Sequence, residues 1–224
     1  MPSSSRAREH VQRSPPRAGE RLGVAYHPAV DEVRAGVWHW QAPHPDWKPG
    51  TEWGELVSSY ALDDGERLLL FDPLAPPSDL DRLASERETA IVLTDPWHAR
   101  DAVGLAEQLG VPLYVPPPDE GNRNPVPGTV FRAGEQLPVG VEAYPGFEPN
   151  DLVLWVERSA VLVVGDTLVD RGRGHEFPTD WVRKDVAPAQ ILEALQPLLE
   201  LPVELVLATH GGPFDRNALE RALS

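Results

Sequence analysis

The chain has no cysteine. That excludes disulfides, a thiolate nucleophile and every Cys-based zinc or iron–sulfur centre, so any metal would rest on His and carboxylates. It also lacks a long hydrophobic run: no apolar stretch approaches the ~20 residues that cross a bilayer. Basic clusters are missing as well. The 35 Asp and Glu against 20 Lys and Arg leave a formal charge of −15, which argues against nucleic acid or an anionic membrane as partner. No Gly-rich phosphate loop is present, Gly-x-Ser-x-Gly is absent, and no Ser/His/Asp set stands out for nucleophilic catalysis. The first residues, MPSSSRAREHVQRSPPRAGER, have no apolar centre and do not read as a secretory signal, so a cytoplasmic location is expected.

What is present fits a globular protein. The 224 residues suffice to bury a real core, and the 41% hydrophobic and 25% charged content are ordinary. Residues 1–21 hold five Arg and almost no large apolar side chains, which predicts a disordered tail before a single domain over 22–224. The 25 prolines imply rigid, irregular connections.

From Leu22 onward the pattern alternates between strands and helices. Gly36 to Gln41 and Glu55 to Leu62 read as strands, Asp63–Asp64–Gly65 as a turn, and Glu66 to Pro73 as a buried strand. A helix is predicted over Ser78 to Glu88 with Ser78 as N-cap, a strand over Thr89 to Thr94, and an amphipathic helix over Ala99 to Leu109 stopped by Gly110. Val111 to Pro116 continues as a strand, followed by a turn-rich loop to Gly128 and short strands to Gly146. Asp151 to Val169 reads as a hairpin around Arg158–Ser159, and Arg171 to Trp181 as irregular. Pro188 to Leu199 is a helix, Val203 to Thr209 a strand and Asp215 to Leu223 a last helix. The order predicts two sheets covered by helices.

Three apolar strands stop abruptly at polar clusters: Ala90 to Thr94 before Asp95, Val161 to Gly165 before Asp166, and Val203 to Thr209 before His210. Strand ends of this kind present chemistry on a rigid scaffold. Four markers stand in order: Thr94-Asp95-Pro96-Trp97-His98-Ala99-Arg100-Asp101-Ala102, Pro145-Gly146-Phe147, Gly165-Asp166-Thr167 and His210-Gly211. In this order, from about Val37 to Phe214, the chain resembles the metallo-β-lactamase superfamily, which includes the glyoxalase II-like hydrolases. The resemblance implies an αββα four-layer sandwich with two mixed β-sheets flanked by helices. Where the family has Thr-His-x-His-x-Asp-His-x-Gly, this chain has Thr94 to Ala102; where it has Pro-Gly-His, Phe147 stands.

Carried over, the ligand positions are Asp95, Trp97, Ala99, Arg100, Phe147, Asp166 and His210. Trp, Phe and Ala offer no lone pair, and Arg is a permanent cation. The expectation is no metal, with Arg100 pairing with Asp166, and with Asp95 too, in the metal's electrostatic place. The alternative is one zinc or other divalent ion on Asp95, Asp166 and His210, with His98 swinging in. His98 falls on a spacer position and is expected to point elsewhere.

Two functions of different class follow. One is a non-catalytic or metal-independent member whose cleft, lined by Arg100, His98, Trp97, Phe147 and His175, binds a small molecule or a protein. The other is a hydrolase of an ester or thioester bond with Asp166, His210 and Asp95 as catalytic or ligand residues. A third option is a metal-free Asp166–His210 acid–base pair. Arg171, Arg173 and His175 read either as contacts for an anionic substrate or as a solvated loop. Trp38, Trp40 and Trp47, with His39 and His44, read either as sheet packing or as an aromatic pocket. Asp72 reads as a turn cap rather than a reacting group.

Overall fold

A computed structural model describes residues 28–119, 122 and 124–224. The tail expected over residues 1–21 lies outside them. The first sheet has seven strands in chain order: β1 (Val30–Arg34), β2 (Val37–Pro43), β3 (Leu56–Asp63), β4 (Arg67–Phe71), β5 (Glu88–Val92), β6 (Leu113–Val115) and β7 (Thr129–Val130). β1 to β4 are antiparallel, and β4 to β7 are parallel. The second half contributes β8 (Gln136–Leu137), β9 (Val141–Pro145), β10 (Leu152–Val156) and β11 (Val161–Gly165). A small separate ribbon follows, β12 (Val169–Asp170) with β13 (His175–Glu176), then β14 (Leu205–Ala208) and β15 (Gly212–Asp215). The second sheet runs β15-β14-β11-β10-β9-β8 and contains one parallel pair, β11 with β14. The helices are α1 (Leu80–Glu86), α2 (Ala102–Leu109), α3 (Pro188–Leu195) and α4 (Arg216–Ala222).

Side-chain alternation builds the layers. Along β4, Leu69 and Phe71 face the second sheet, where they share a core with Ala143, Leu154, Val163 and Leu207. Leu68 and Leu70 face outward onto Leu80 of α1 and Ala102 and Leu105 of α2. In the second sheet Val153, Leu162 and Val206 turn outward onto Ile191 and Leu195 of α3 and Leu219 of α4. Strands covered on both faces need apolar side chains at successive positions, which is why Leu68–Phe71 of β4, Ala90–Val92 of β5, and β10 and β11 read as unbroken apolar runs. The result is helix, sheet, sheet, helix. No helix among the described residues is long and apolar enough to cross a membrane.

Local differences from the sequence pattern have local causes. Asp79, not Ser78, is the N-cap of α1, and its side chain makes no cap bond to the helix. The second helix starts at Ala102 because Pro96–Ala99 forms a separate 3-10 turn. The segment from Arg171 is partly ordered by the β12–β13 ribbon.

The sheets are joined at one end by polar bonds. Tyr60 on β3 donates its hydroxyl to Ala208 O at 2.6 Å, Ser58 N donates to Thr209 O at 2.8 Å, and Leu152 N donates to Thr94 O at 2.8 Å. Tyr60→Phe removes one of these and leaves the Ala208 carbonyl short of a donor, at a cost of about 1–2 kcal/mol. Urea unfolding should show a lower midpoint with an unchanged slope. An unchanged midpoint would mean that the bond adds nothing to holding the sheets together.

Candidate functional site

The C-terminal ends of four strands meet where the sheets are joined. β4 and β5 are parallel in one sheet and β11 and β14 in the other, so Asp72, Thr94–Asp95, Asp166 and Thr209–His210 leave their strands at the same end. Gly165 admits the close approach. It sits at φ +52°, and a Cβ there would lie 2.7 Å from Thr94 Oγ1 and 2.9 Å from Asp151 Oδ1.

At the centre is His98. Asp95 acts as N-cap of the turn Pro96–Ala99, its Oδ1 accepting from Trp97 N at 2.7 Å, while His98 N donates to Asp95 O at 3.1 Å. This turn swings His98 inward, to 4% exposure, and Trp97 outward, to 55%. His98 therefore does not point away from the site, as spacer counting implies. Its Nδ1 lies 3.1 Å from Asp72 Oδ2 and 3.0 Å from Thr94 Oγ1, and its Nε2 lies 3.3 Å from Asp166 Oδ1. His210 Nε2 is also 3.3 Å from Asp166 Oδ1. That oxygen is within ion-pair range of both rings and in hydrogen-bond geometry with neither.

Asp72 is a hub rather than a turn cap. It is buried, and its carboxylate accepts from Thr94 N at 2.9 Å, Thr94 Oγ1 at 2.6 Å and Thr209 Oγ1 at 3.3 Å. Arg100 does not pair with Asp166 or Asp95. Its Nη1 donates to two backbone carbonyls, Asp72 O at 2.8 Å and Ser58 O at 3.2 Å. Arg100 sits at φ +37°, ψ −117°, and its guanidinium reaches the carbonyls where β3 begins and β4 ends. Asp72 is also at positive φ, +45°, so two strained residues flank the same centre.

The electrostatics follow from burial and proximity. Burial opposes charge on His98, but Asp166 and Asp72 outweigh it and push the imidazole up to about 10. Burial likewise opposes charge on Asp166 and Asp72; the His98 cation prevails and holds both carboxyls below their ordinary range, Asp166 well below. Asp95 has less help. Burial raises it to about 7, with the Asp166 charge adding to the rise and His98 working against it. Asp151, which sequence reasoning passed over, is fully buried beside this group. Burial, Asp95 and Asp166 raise its carboxyl well above the ordinary range. It is held by Thr167 Oγ1 and by Phe147 N, the latter at 3.2 Å. The only sequence signal for it was a carboxylate directly before an apolar strand.

The metals implied by the family resemblance do not fit this donor set. Among the described residues, no group of three or more His, Asp or Glu side chains is placed to hold a metal ion. Trp97 directs Nε1 to Asp119 at 2.7 Å, Phe147 and Ala99 have no donor, and Arg100 is a cation. Both ring nitrogens of His98 already face partners, Nδ1 towards Asp72 and Thr94 and Nε2 towards Asp166.

An open cleft of about 450 Å³ lies over Asp166, walled by Trp53, Trp97, Trp181 and Phe147. Trp53 and Trp181 pack on His210, with ring centroids 5.2 and 5.9 Å away. His175 is not part of this cleft. It stacks on Phe214 at 3.7 Å, and burial lowers its basicity. Arg171 pairs with Asp180 at 2.9 Å, and Arg173 is exposed near Glu176. Trp38 and Trp40 pack with the outer helices, Trp40 Nε1 donating to Leu74 O at 2.8 Å. Beside Trp97 and Phe147, the aromatic walls come from Trp53 and Trp181, which sequence neighbourhood did not connect.

Asp95 generates a pH prediction. Its folded pKa is raised, so the stability it contributes is present at acid pH and is lost as pH rises through about 7. Asp95→Asn keeps an acceptor for Trp97 N and removes the buried charge. Thermal unfolding should show the variant gaining on the parent by about 1–3 kcal/mol between pH 5 and pH 8. An equal difference at both pH values would contradict the raised carboxyl.

No family model matches the chain, and no curated relative matches it. Solved structures do. The chain is similar to the DIM-1 metallo-β-lactamase exposed to ceftazidime, at 15% identity over 89% of this chain and 96% of that one, TM-score 0.65. It is similar to FIM-1 from Pseudomonas aeruginosa in its mono-zinc form, at 14% identity over 88% and 94%, TM-score 0.62. A metallo-β-lactamase family protein from Thermus thermophilus matches at 19% identity over 85% and 78%, TM-score 0.57. At these identities the likeness is one of fold. Two mixed sheets between helices, joined at the end where the parallel strands deliver Asp72, Asp95, Asp166 and His210, are the metallo-β-lactamase fold.

Proposed function

We propose that this chain is a metal-independent member of the fold that binds a small molecule in the cleft over Asp166. One observation carries the reading: His98 lies between Asp72 and Asp166 at 3.1 and 3.3 Å, with its imidazole raised to about 10. A buried carboxylate needs a cation, and two carboxylates with no counter-charge would cost several kcal/mol. His98, with Arg100 bonded to Asp72 O, supplies positive charge from the chain itself. The cleft volume, about 450 Å³, is that of small-molecule sites. Aromatic walls over a polar floor supply contact area and a few orienting charges.

A second reading has its own support. His210 Nε2 faces Asp166 at 3.3 Å, and Asp95 is held at about 7, where a carboxyl can exchange a proton at working pH. In this reading Asp166, which lines the cleft, takes a proton from a water attacking an ester or thioester, shares it with His210 Nε2, and the proton then goes to the leaving group. Binding remains the first reading because Asp166 is shared with His98, which reduces its hold on His210.

Metal analysis of protein purified without chelator, alongside an ester and thioester screen, tests both. The first reading expects metal well below one equivalent and no turnover. Chelator-insensitive turnover abolished by Asp166→Asn would establish the second. Near-stoichiometric zinc, manganese or iron would overturn both.

A further inference from the structure

The polar lining of the cleft includes Glu52, Glu148 and Asp166, and among the described residues no Lys, Arg or His lines it. Its aromatic wall is fixed by bonds that leave the cleft's own chemistry to the rings. Trp97 Nε1 donates to Asp119 at 2.7 Å, and Trp181 Nε1 donates to Glu52 at 3.0 Å. Two indole N–H groups are thus engaged, and what the exposed Trp97 ring still offers a ligand is π surface. A π face attracts a cation, Trp most strongly. Trp181 already demonstrates this within the chain, with Arg171 Cζ 5.0 Å from its ring centroid.

Charge sorts the ligand classes. An anion would meet Glu52 and Glu148, with no cation in the lining, above an Asp166 whose charge is already shared with His98 and His210 at 3.3 Å. A neutral apolar ligand would fill the walls but strip water from those carboxylates with nothing in return. A compact organic cation satisfies both parts of the surface. Its alkyl groups pack on Trp53, Trp97 and Phe147, and its charge sits among Glu52, Glu148 and Asp166. The chain's formal charge of −15 also favours the approach of a cation.

We propose that the cleft selects a small organic cation, a fully alkylated ammonium group on a molecule that fits within about 450 Å³. The proposal rests on the ligand-binding reading above and narrows it to one chemical class. A quaternary ammonium spreads its charge over methyl groups that pack on the rings while still facing the carboxylates, so one group meets both parts of the lining.

Tryptophan fluorescence titration of the full chain tests it with three probes: choline, its neutral isostere 3,3-dimethylbutan-1-ol, and benzoate. The expected result is saturable quenching by choline with an affinity about tenfold or more above the isostere. Trp97→Ala is the variant of choice, since that ring is 55% exposed and its loss leaves the core intact. It should weaken choline about threefold or more, with the circular dichroism of the fold unchanged. Equal affinity for choline and the isostere, or tighter binding of benzoate, overturns the cation while leaving a binding cleft. Failure of all three probes to bind overturns the cleft reading as well.

Discussion

A buried histidine between two carboxylates, its imidazole pushed up by both, holds the site together. Asp72 ends a strand of the first sheet, Asp166 ends a strand of the second, and His98 contacts both at 3.1 and 3.3 Å. The contact is a bridge between sheets as well as an ion pair. It stands beside the bonds from Tyr60 to Ala208 and from Ser58 to Thr209, which cross the same gap. Each carboxylate would be costly to bury alone, and each makes the His98 proton harder to remove. Asp95 and Asp151, buried nearby without a cation of their own, are raised instead. The four neighbouring carboxyls thus divide into two held below their ordinary range, beside His98, and two raised above it.

The layers were legible because burial on both faces leaves a plain signature. Leu68 to Phe71, Ala90 to Leu93, Leu152 to Val156 and Val161 to Val164 are unbroken apolar runs, and each sits between its partner sheet and a helix layer. The abrupt ends at Asp95, Asp166 and His210 were legible in the sequence, whereas Asp72, which reads there as a turn cap, joins them only in the fold. What residue order could not give was the direction of the side chains in the loop after Thr94. Counting spacers along that loop assumes the family's backbone, whereas Asp95 and Pro96 start a 3-10 turn that exchanges inside for outside. His98 takes the interior and Trp97 the surface. The side chain that contacts the carboxylates is His98 and not Arg100, which donates to backbone carbonyls.

The aromatic cleft shows a second limit. Trp38 and Trp40 are close in sequence and share a face of β2, but period-two alternation sends that face to the outer helices. The rings over Asp166 come from four separate segments, at positions 53, 97, 147 and 181. Only the closing of the two sheets brings them together. The prolines of these connecting segments fit a cleft wall held by rigid loops rather than by regular structure.

The most direct test of this account is the protonation state of His98, read from its ring nitrogens by 15N NMR at neutral pH in protein purified without added metal. The account predicts two protonated ring nitrogens, persisting up to at least about pH 8. A neutral tautomer at pH 7, or a ring nitrogen bound to metal, would contradict the claim that this side chain supplies the charge on which the site depends.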